Sequence, residues 1–215
     1  MSLRFSPALL LFAFGVAQAQ TLPELRTEPV TGGSIFYIKN GGAQPVTAFL
    51  VELVNYPGSY YSLWQDEAAS ILIAAGAEKR IPVNNMTVGA VPDYVKLQAA
   101  LFADGTSAGI PEKVTQLVER RRFVLQTTRE LISRLEKAKA ASTPKATLIA
   151  DLKQWDESLQ PPRRANPTAQ ATINQNAARG AIGDAISSLD SHSVEETIAK
   201  FHESEKSLAA SKPAL

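Results

Sequence analysis

Glycine and aromatic side chains are dealt unevenly along this chain, and that unevenness constrains its architecture more than any motif does. Residues 20 to 110 hold nine glycines and nine aromatics (Phe36, Tyr37, Phe49, Tyr56, Tyr60, Tyr61, Trp64, Tyr94 and Phe102), whereas residues 111 to 215 hold two glycines and three aromatics. Glycine supplies the positive-φ turns that connect short strands, and aromatic and β-branched residues suit a pleated surface. A stretch poor in both reads as helix. The sequence therefore predicts a two-part α+β chain: an antiparallel, immunoglobulin-like β-sandwich over 20–110, then an α-helical region of about four helices over 111–209 and a disordered tail over 210–215.

Within the first part, Ser34 to Lys39, Val46 to Val54, Lys79 to Val83 and Tyr94 to Ala103 are rich in β-branched and aromatic residues and bounded by turn signals, so each is expected as a strand. Asn40-Gly41-Gly42 separates the first two with strong turn chemistry. Val95, Leu97, Ala99 and Leu101 alternate with Tyr94, Lys96, Gln98 and Ala100, which predicts one face on a core and the other toward solvent. Pro82 demotes its strand to a sheet edge. No helical period intervenes, so parallel crossovers are not expected.

In the second part, Val114, Leu117, Val118, Val124, Leu125, Leu131, Ile132 and Leu135 form an apolar stripe along a helix from Pro111 to Ala140, interrupted by Arg121 and Thr128. Such a rod is about 45 Å long. It either packs on the sandwich at its start or projects and pairs with a second copy. Thr143-Pro144 and Asn166-Pro167 read as cap-plus-proline starts of two further helices, and Ser193-Val194-Glu195-Glu196 as a capping box opening a fourth.

Residues 1–19 carry Arg4, an apolar run from Ala8 to Val16, and Ala17-Gln18-Ala19, the pattern of an export signal cleaved after Ala19. About nine apolar residues cannot cross a hydrocarbon core that needs roughly 20. The expected product is secreted or periplasmic, with no integral membrane span after cleavage. With Arg4 removed, 21 basic residues face 21 acidic ones, which argues against nucleic acid as a partner. The absence of cysteine removes disulfides, thiolate metal sites and thiol catalysis. No cofactor, metal or catalytic residue is expected.

The candidate sites are few. Tyr56-Pro57-Gly58-Ser59-Tyr60-Tyr61-Ser62-Leu63-Trp64 concentrates aromatics around a Pro-Gly turn, so Tyr56, Tyr60, Tyr61 and Trp64 are the expected ligand- or partner-binding residues, set against a role closing one end of the sandwich. Arg120, Arg121 and Arg122 form the densest basic cluster and a possible docking face, although three consecutive helical residues spread over about 200°. Gly105-Thr106-Ser107-Ala108-Gly109 matches the Gly-x-Ser-x-Gly pattern of a nucleophile elbow. That elbow belongs on a parallel sheet with crossover helices, and none precedes Ser107. His192 and His202 stand too far apart, with too few companions, for a metal site. Asn85-Met86-Thr87 fits a glycosylation sequon.

Asn40-Gly41-Gly42-Ala43-Gln44-Pro45-Val46-Thr47-Ala48-Phe49, Tyr60-Tyr61-Ser62-Leu63 and Leu101-Phe102-Ala103-Asp104-Gly105-Thr106-Ser107-Ala108-Gly109, leading into an arginine-bearing helix, together resemble a group of uncharacterised secreted proteins of soil bacteria of the acidobacterial type. The resemblance spans roughly residues 33 to 135. It implies a β-sandwich ending in the Asp-Gly-Thr turn and followed by helices, and carries no activity or ligand. The resulting expectation is a non-enzymatic exported protein acting as a protein-interaction or envelope structural module, with an envelope or extracellular protein as partner and a homo-oligomer through helix 111–140 as a further option. Small-molecule or saccharide binding through the 56–64 loop is the alternative, and a serine hydrolase using Ser107 the remote one.

Overall fold

The computed structural model describes residues 20–68, 70–84 and 92–214. The signal segment and the Asn85-Met86-Thr87 sequon lie outside the described residues.

Strands β1 (Glu24–Val30), β2 (Gly33–Lys39), β3 (Val46–Leu53), β4 (Ser62–Asp66), β5 (Glu78–Val83), β6 (Val95–Phe102) and β7 (Ser107–Gly109) form two antiparallel sheets. The first has the order β1-β2-β5 and the second β4-β3-β6-β7. Pro82 lies on β5, an edge strand, where its missing N–H costs no ladder bond. The Asn40-Gly41-Gly42 turn carries the chain from one sheet to the other. Asn40 is buried there because its Nδ2 donates to the carbonyl oxygens of Gln44, Ile73 and Ala74 at 2.8, 3.3 and 3.2 Å, tying two loops together.

The sheets share one apolar core in which Phe36 and Ile38 of the first meet Phe49, Val51, Ala100 and Phe102 of the second. The expected alternation along β6 fails, and the reason is local. The β3–β6 register shifts between Leu50 and Val51, opposite Ala99 and Leu97, which leaves Gln98 as an extra residue. One inserted residue exchanges the two faces of a strand. Val95 and Leu97 therefore share the inter-sheet core with Ala100 and Phe102, while Ala99 and Leu101 face the opposite way. That opposite face does not meet solvent: β3 is buried along its whole length.

Its cover is helix α1 (Pro111–Ala140). Leu117, with Val114 and Val118 beside it, packs on Ala48, Leu50, Ala99 and Leu101. About four turns on, Leu131, Ile132 and Leu135 of the same helix enter a separate core with α2 (Lys145–Ser158), α3 (Gln170–Ser191) and α4 (Val194–Ala209). One continuous rod thus serves two hydrophobic layers, and of the two alternatives left open for its apolar stripe, packing on the sheets at its start is the one observed. No helix among the described residues is long and apolar enough to cross a membrane.

The helix starts follow the sequence signals unevenly. Ser193 and Glu196 form the reciprocal capping box of α4, with bonds of 3.2 and 2.8 Å. Thr143 does not cap α2; Pro144 takes the cap position and offers no side-chain bond. Asn166 orders a turn instead of a helix, its Oδ1 accepting from the Thr168 N–H at 2.9 Å, and α3 begins only at Gln170. Residues 210–214, expected as a disordered tail, are held down: Ser211 is buried and its hydroxyl donates to the Leu208 carbonyl at 2.6 Å.

Candidate functional site

The arginine triplet is resolved by helix phase. Each residue turns about 100° around α1, so only one of the three can follow the stripe set by Leu117 and Leu125. That one is Arg121. Its side chain is 0% exposed, and it forms a bidentate pair with Asp66 at the end of β4, Nη2 to Oδ1 at 2.7 Å and Nε to Oδ2 at 3.0 Å. Its Nη1 donates to the Lys212 carbonyl at 2.8 Å, so the same guanidinium that joins helix to sheet also anchors the tail. Arg122 turns the other way and pairs with Glu119 one turn back. The three side chains therefore share no single face: one guanidinium is fully buried, and the other two point to different surroundings.

Arg120 points to the sheet edge. Its guanidinium carbon lies 5.7 Å from the centroid of the Trp64 ring on β4, within cation–π range. Burial pulls its pKa below the ordinary arginine value; the nearby Asp66 charge opposes this and Arg121 reinforces it. No carboxylate among the described residues pairs with it.

The aromatic segment divides between two layers. Tyr61 meets Phe36 edge-on at 6.3 Å and Tyr56 meets Tyr94 at 5.3 Å, and both pack against the inter-sheet core, which is the end-closing role. Strand β4, where the chain was expected to loop, sends Trp64 to the opposite face, under α1. Trp64 Nε1 donates to Ser62 Oγ at 3.0 Å. The Tyr60 hydroxyl donates to Glu52 Oε1 at 3.2 Å, and Glu52, buried on β3, is neutralised by Lys113 Nζ at 2.7 Å. Burial raises the Tyr60 pKa above its ordinary value, opposed by a hydrogen bond with Ser62 and reinforced by the Glu52 charge.

Tyr60, Ser62, Trp64 and Arg120 form one side of a cavity of about 330 Å3, and Pro167, Ile173, Asn176 and Ala177, from the loop before α3 and from α3 itself, form the other. The loop is set in place by Gln116 of α1, whose Nε2 donates to the Thr168 carbonyl at 3.1 Å. This is the low end of the volume range of small-ligand sites, with an aromatic platform, an apolar wall and a few polar groups converging. No family model, curated protein or solved structure matches this chain.

A larger hollow, about 650 Å3, opens between Asp66, Glu67, Ala68 and Ser70 on one side and α1, α3 and α4 on the other. It is the weaker candidate. Its Asp66 is already consumed by Arg121, and Glu67, Asp184, Lys200 and Glu203 are exposed, so water already satisfies their charges. Ser107 lies on β7, paired with Leu101 in an antiparallel hairpin. The glycines of its motif serve that hairpin. Gly105 takes a positive φ in a turn where Asp104 Oδ1 accepts from the Thr106 N–H at 2.9 Å, and Gly109 sits at φ +114° against β6, where a Cβ would fall 2.2 Å from the Gln98 carbonyl oxygen. His202 contacts Glu136 at the surface, and no group of acids and histidines able to hold a metal occurs among the described residues.

Sequence reasoning found Tyr60, Trp64 and Arg120 separately but not as neighbours, and missed Asp66, Glu52, Lys113 and Asn176 altogether. The available signal was the interruption of the α1 stripe. An arginine at an apolar position needs a buried acid somewhere in the chain.

Proposed function

We propose that this chain is a non-enzymatic exported protein that works by binding a small molecule or saccharide in the cavity between β4, α1 and α3. In this reading residues 1–19 are a signal cleaved after Ala19, the two sheets are an immunoglobulin-like sandwich, and the helices complete the site that the sandwich begins. The observation that carries it is the junction of Tyr60, Trp64 and Arg120 around one hollow of about 330 Å3. Aromatic and polar groups converging on a concave surface are what small ligands need. The alternative of a protein partner gripping an aromatic loop loses support, because Tyr56 and Tyr61 are spent on the inter-sheet core.

The test is a titration of the mature chain, residues 20–215, with a panel of neutral and acidic mono- and oligosaccharides, read by tryptophan fluorescence and by calorimetry. Saturable binding that disappears by calorimetry in Tyr60→Ala/Trp64→Phe, with the helical content unchanged, is the expected result. No binding across the panel by folded protein would overturn the reading. Cell fractionation tests the export step, for which a cytoplasmic full-length chain would be the refuting outcome.

A further inference from the structure

Most arginines of the described chain have their charge accounted for. Arg26, Arg121, Arg122, Arg129, Arg134 and Arg179 each pair with a carboxylate. Arg80, Arg163 and Arg164 have no such partner but are exposed, and water solvates them. Arg120 alone is both withdrawn from solvent and unpaired among the described residues. The two acids nearest the cavity cannot serve it: both oxygens of Asp66 are taken by Arg121, and Glu52 already holds Lys113 and the Tyr60 hydroxyl. A guanidinium half out of water, with fork-like donors unspent, favours an anion from outside, because the cost of withdrawing it from water is recovered only when acceptors meet it.

The other walls narrow the anion. Trp64 offers a ring, Ile173 and Ala177 an apolar surface, and Ser62, Tyr60 and Asn176 hydroxyl and amide groups. We infer that the cavity takes a carboxylated sugar ring, its carboxylate on Arg120, one ring face against Trp64 and its hydroxyls toward Ser62, Tyr60 and Asn176. This rests on the binding reading given above and adds to it the ligand's charge and chemical class. Two sources supply that chemistry, uronic acids of extracellular polysaccharide and the lactyl-bearing amino sugar of cell-wall glycan.

The experiment uses residues 20–215 with Trp155→Phe, so that fluorescence reports Trp64 alone. Glucuronate, galacturonate and N-acetylmuramate are titrated against their neutral counterparts glucose, galactose and N-acetylglucosamine, with acetate and inorganic phosphate as probes of charge without a sugar ring. At least one acid is expected to bind about 10- to 100-fold tighter than its neutral counterpart, the range of a partly desolvated charge-assisted contact. Whether a uronate or N-acetylmuramate leads identifies the source. The preference is expected to collapse in Arg120→Gln and to weaken with salt. Equal affinity for acid and neutral sugar, or a preference that survives Arg120→Gln, overturns the inference and leaves a neutral-sugar site standing. Acetate or phosphate binding as tightly as the sugar acids overturns the sugar assignment. Failure of every probe overturns the binding reading along with the inference. The acid-to-neutral comparison needs no substitution at Arg120, so it stands even if that variant misfolds.

Discussion

Replacing Arg121 by methionine tests the junction between sheet and helix directly. Methionine keeps most of the stem's length and volume but removes the charge. In the native chain the guanidinium is 0% exposed and the Asp66 side chain 8%, so the substitution strands a carboxylate where water barely reaches it. Breaking a buried pair from one side costs about 3–5 kcal/mol, far more than the about 0–1 kcal/mol of a surface pair. For a chain of this size each kcal/mol moves Tm by about 2–4 °C, giving an expected fall of about 6–20 °C. The cause is separable from lost packing. In Asp66→Leu/Arg121→Met no charge remains, and apolar replacement of a whole buried pair is often neutral. Urea unfolding followed by circular dichroism should therefore find the double variant more stable than Arg121→Met, with a coupling above about 2 kcal/mol. The tail supplies a second readout: without the Arg121 donor to the Lys212 carbonyl, carboxypeptidase should trim the chain faster. A loss below about 1 kcal/mol for Arg121→Met, or a double variant equal to the sum of its singles, would refute the reasoning.

Other substitutions probe the remaining features. Gly109→Ala puts a Cβ 2.2 Å from the Gln98 carbonyl oxygen at φ +114° and should cost well above the about 1–2 kcal/mol of a left-handed residue alone, whereas Gly180→Ala, with open space around it on α3, should stabilise by about 0.5–1 kcal/mol in the same urea assay. Because the folded Tyr60 pKa is raised above 10.0, the unfolded chain ionises first; this contribution to stability is complete below pH 10 and is lost as pH rises beyond it, and Tyr60→Phe should flatten the alkaline fall of Tm. Ser193→Ala should cost about 1 kcal/mol at neutral pH. Glu196, its capping partner, has a pKa lowered by its bonds at Ser193, so its share is present above 4.5 and lost as pH falls through the lowered folded value; the cost of Ser193→Ala should shrink in acid.

What could be read in advance divides along physical lines. Strands β2, β3, β5 and β6 and helix α1 were legible because burial imposes a pattern on their side chains. β1 was not: as an edge strand carrying Glu24, Arg26, Glu28 and Pro29, it has a composition that burial never selected. β4 hid behind Pro57-Gly58, which marked the region as a loop, and β7 is only Ser107–Gly109. The bulge at Gln98 leaves no composition signal, so the faces of β6 were misassigned. At the site, three consecutive arginines look alike in a sequence. Their separate fates depend on where β4 lies beside α1, a relation between residues 55 positions apart for the Arg121–Asp66 pair.

The sharing of α1 between two hydrophobic layers bears on how such a chain can be inherited. The change in composition at residue 110 looks like a seam between modules, yet a recombination event there would strip Leu117, Val114 and Val118 from Ala48, Leu50, Ala99 and Leu101 and leave a sheet that is greasy on both faces. Such a fragment would be cleared or aggregate before selection could act on it. The sheets can move between genes only with the first turns of the helix attached, and the helices only with a substitute for the sheet. Descent should therefore keep the two halves together as one unit, lengthening or shortening loops while the rod between them stays intact.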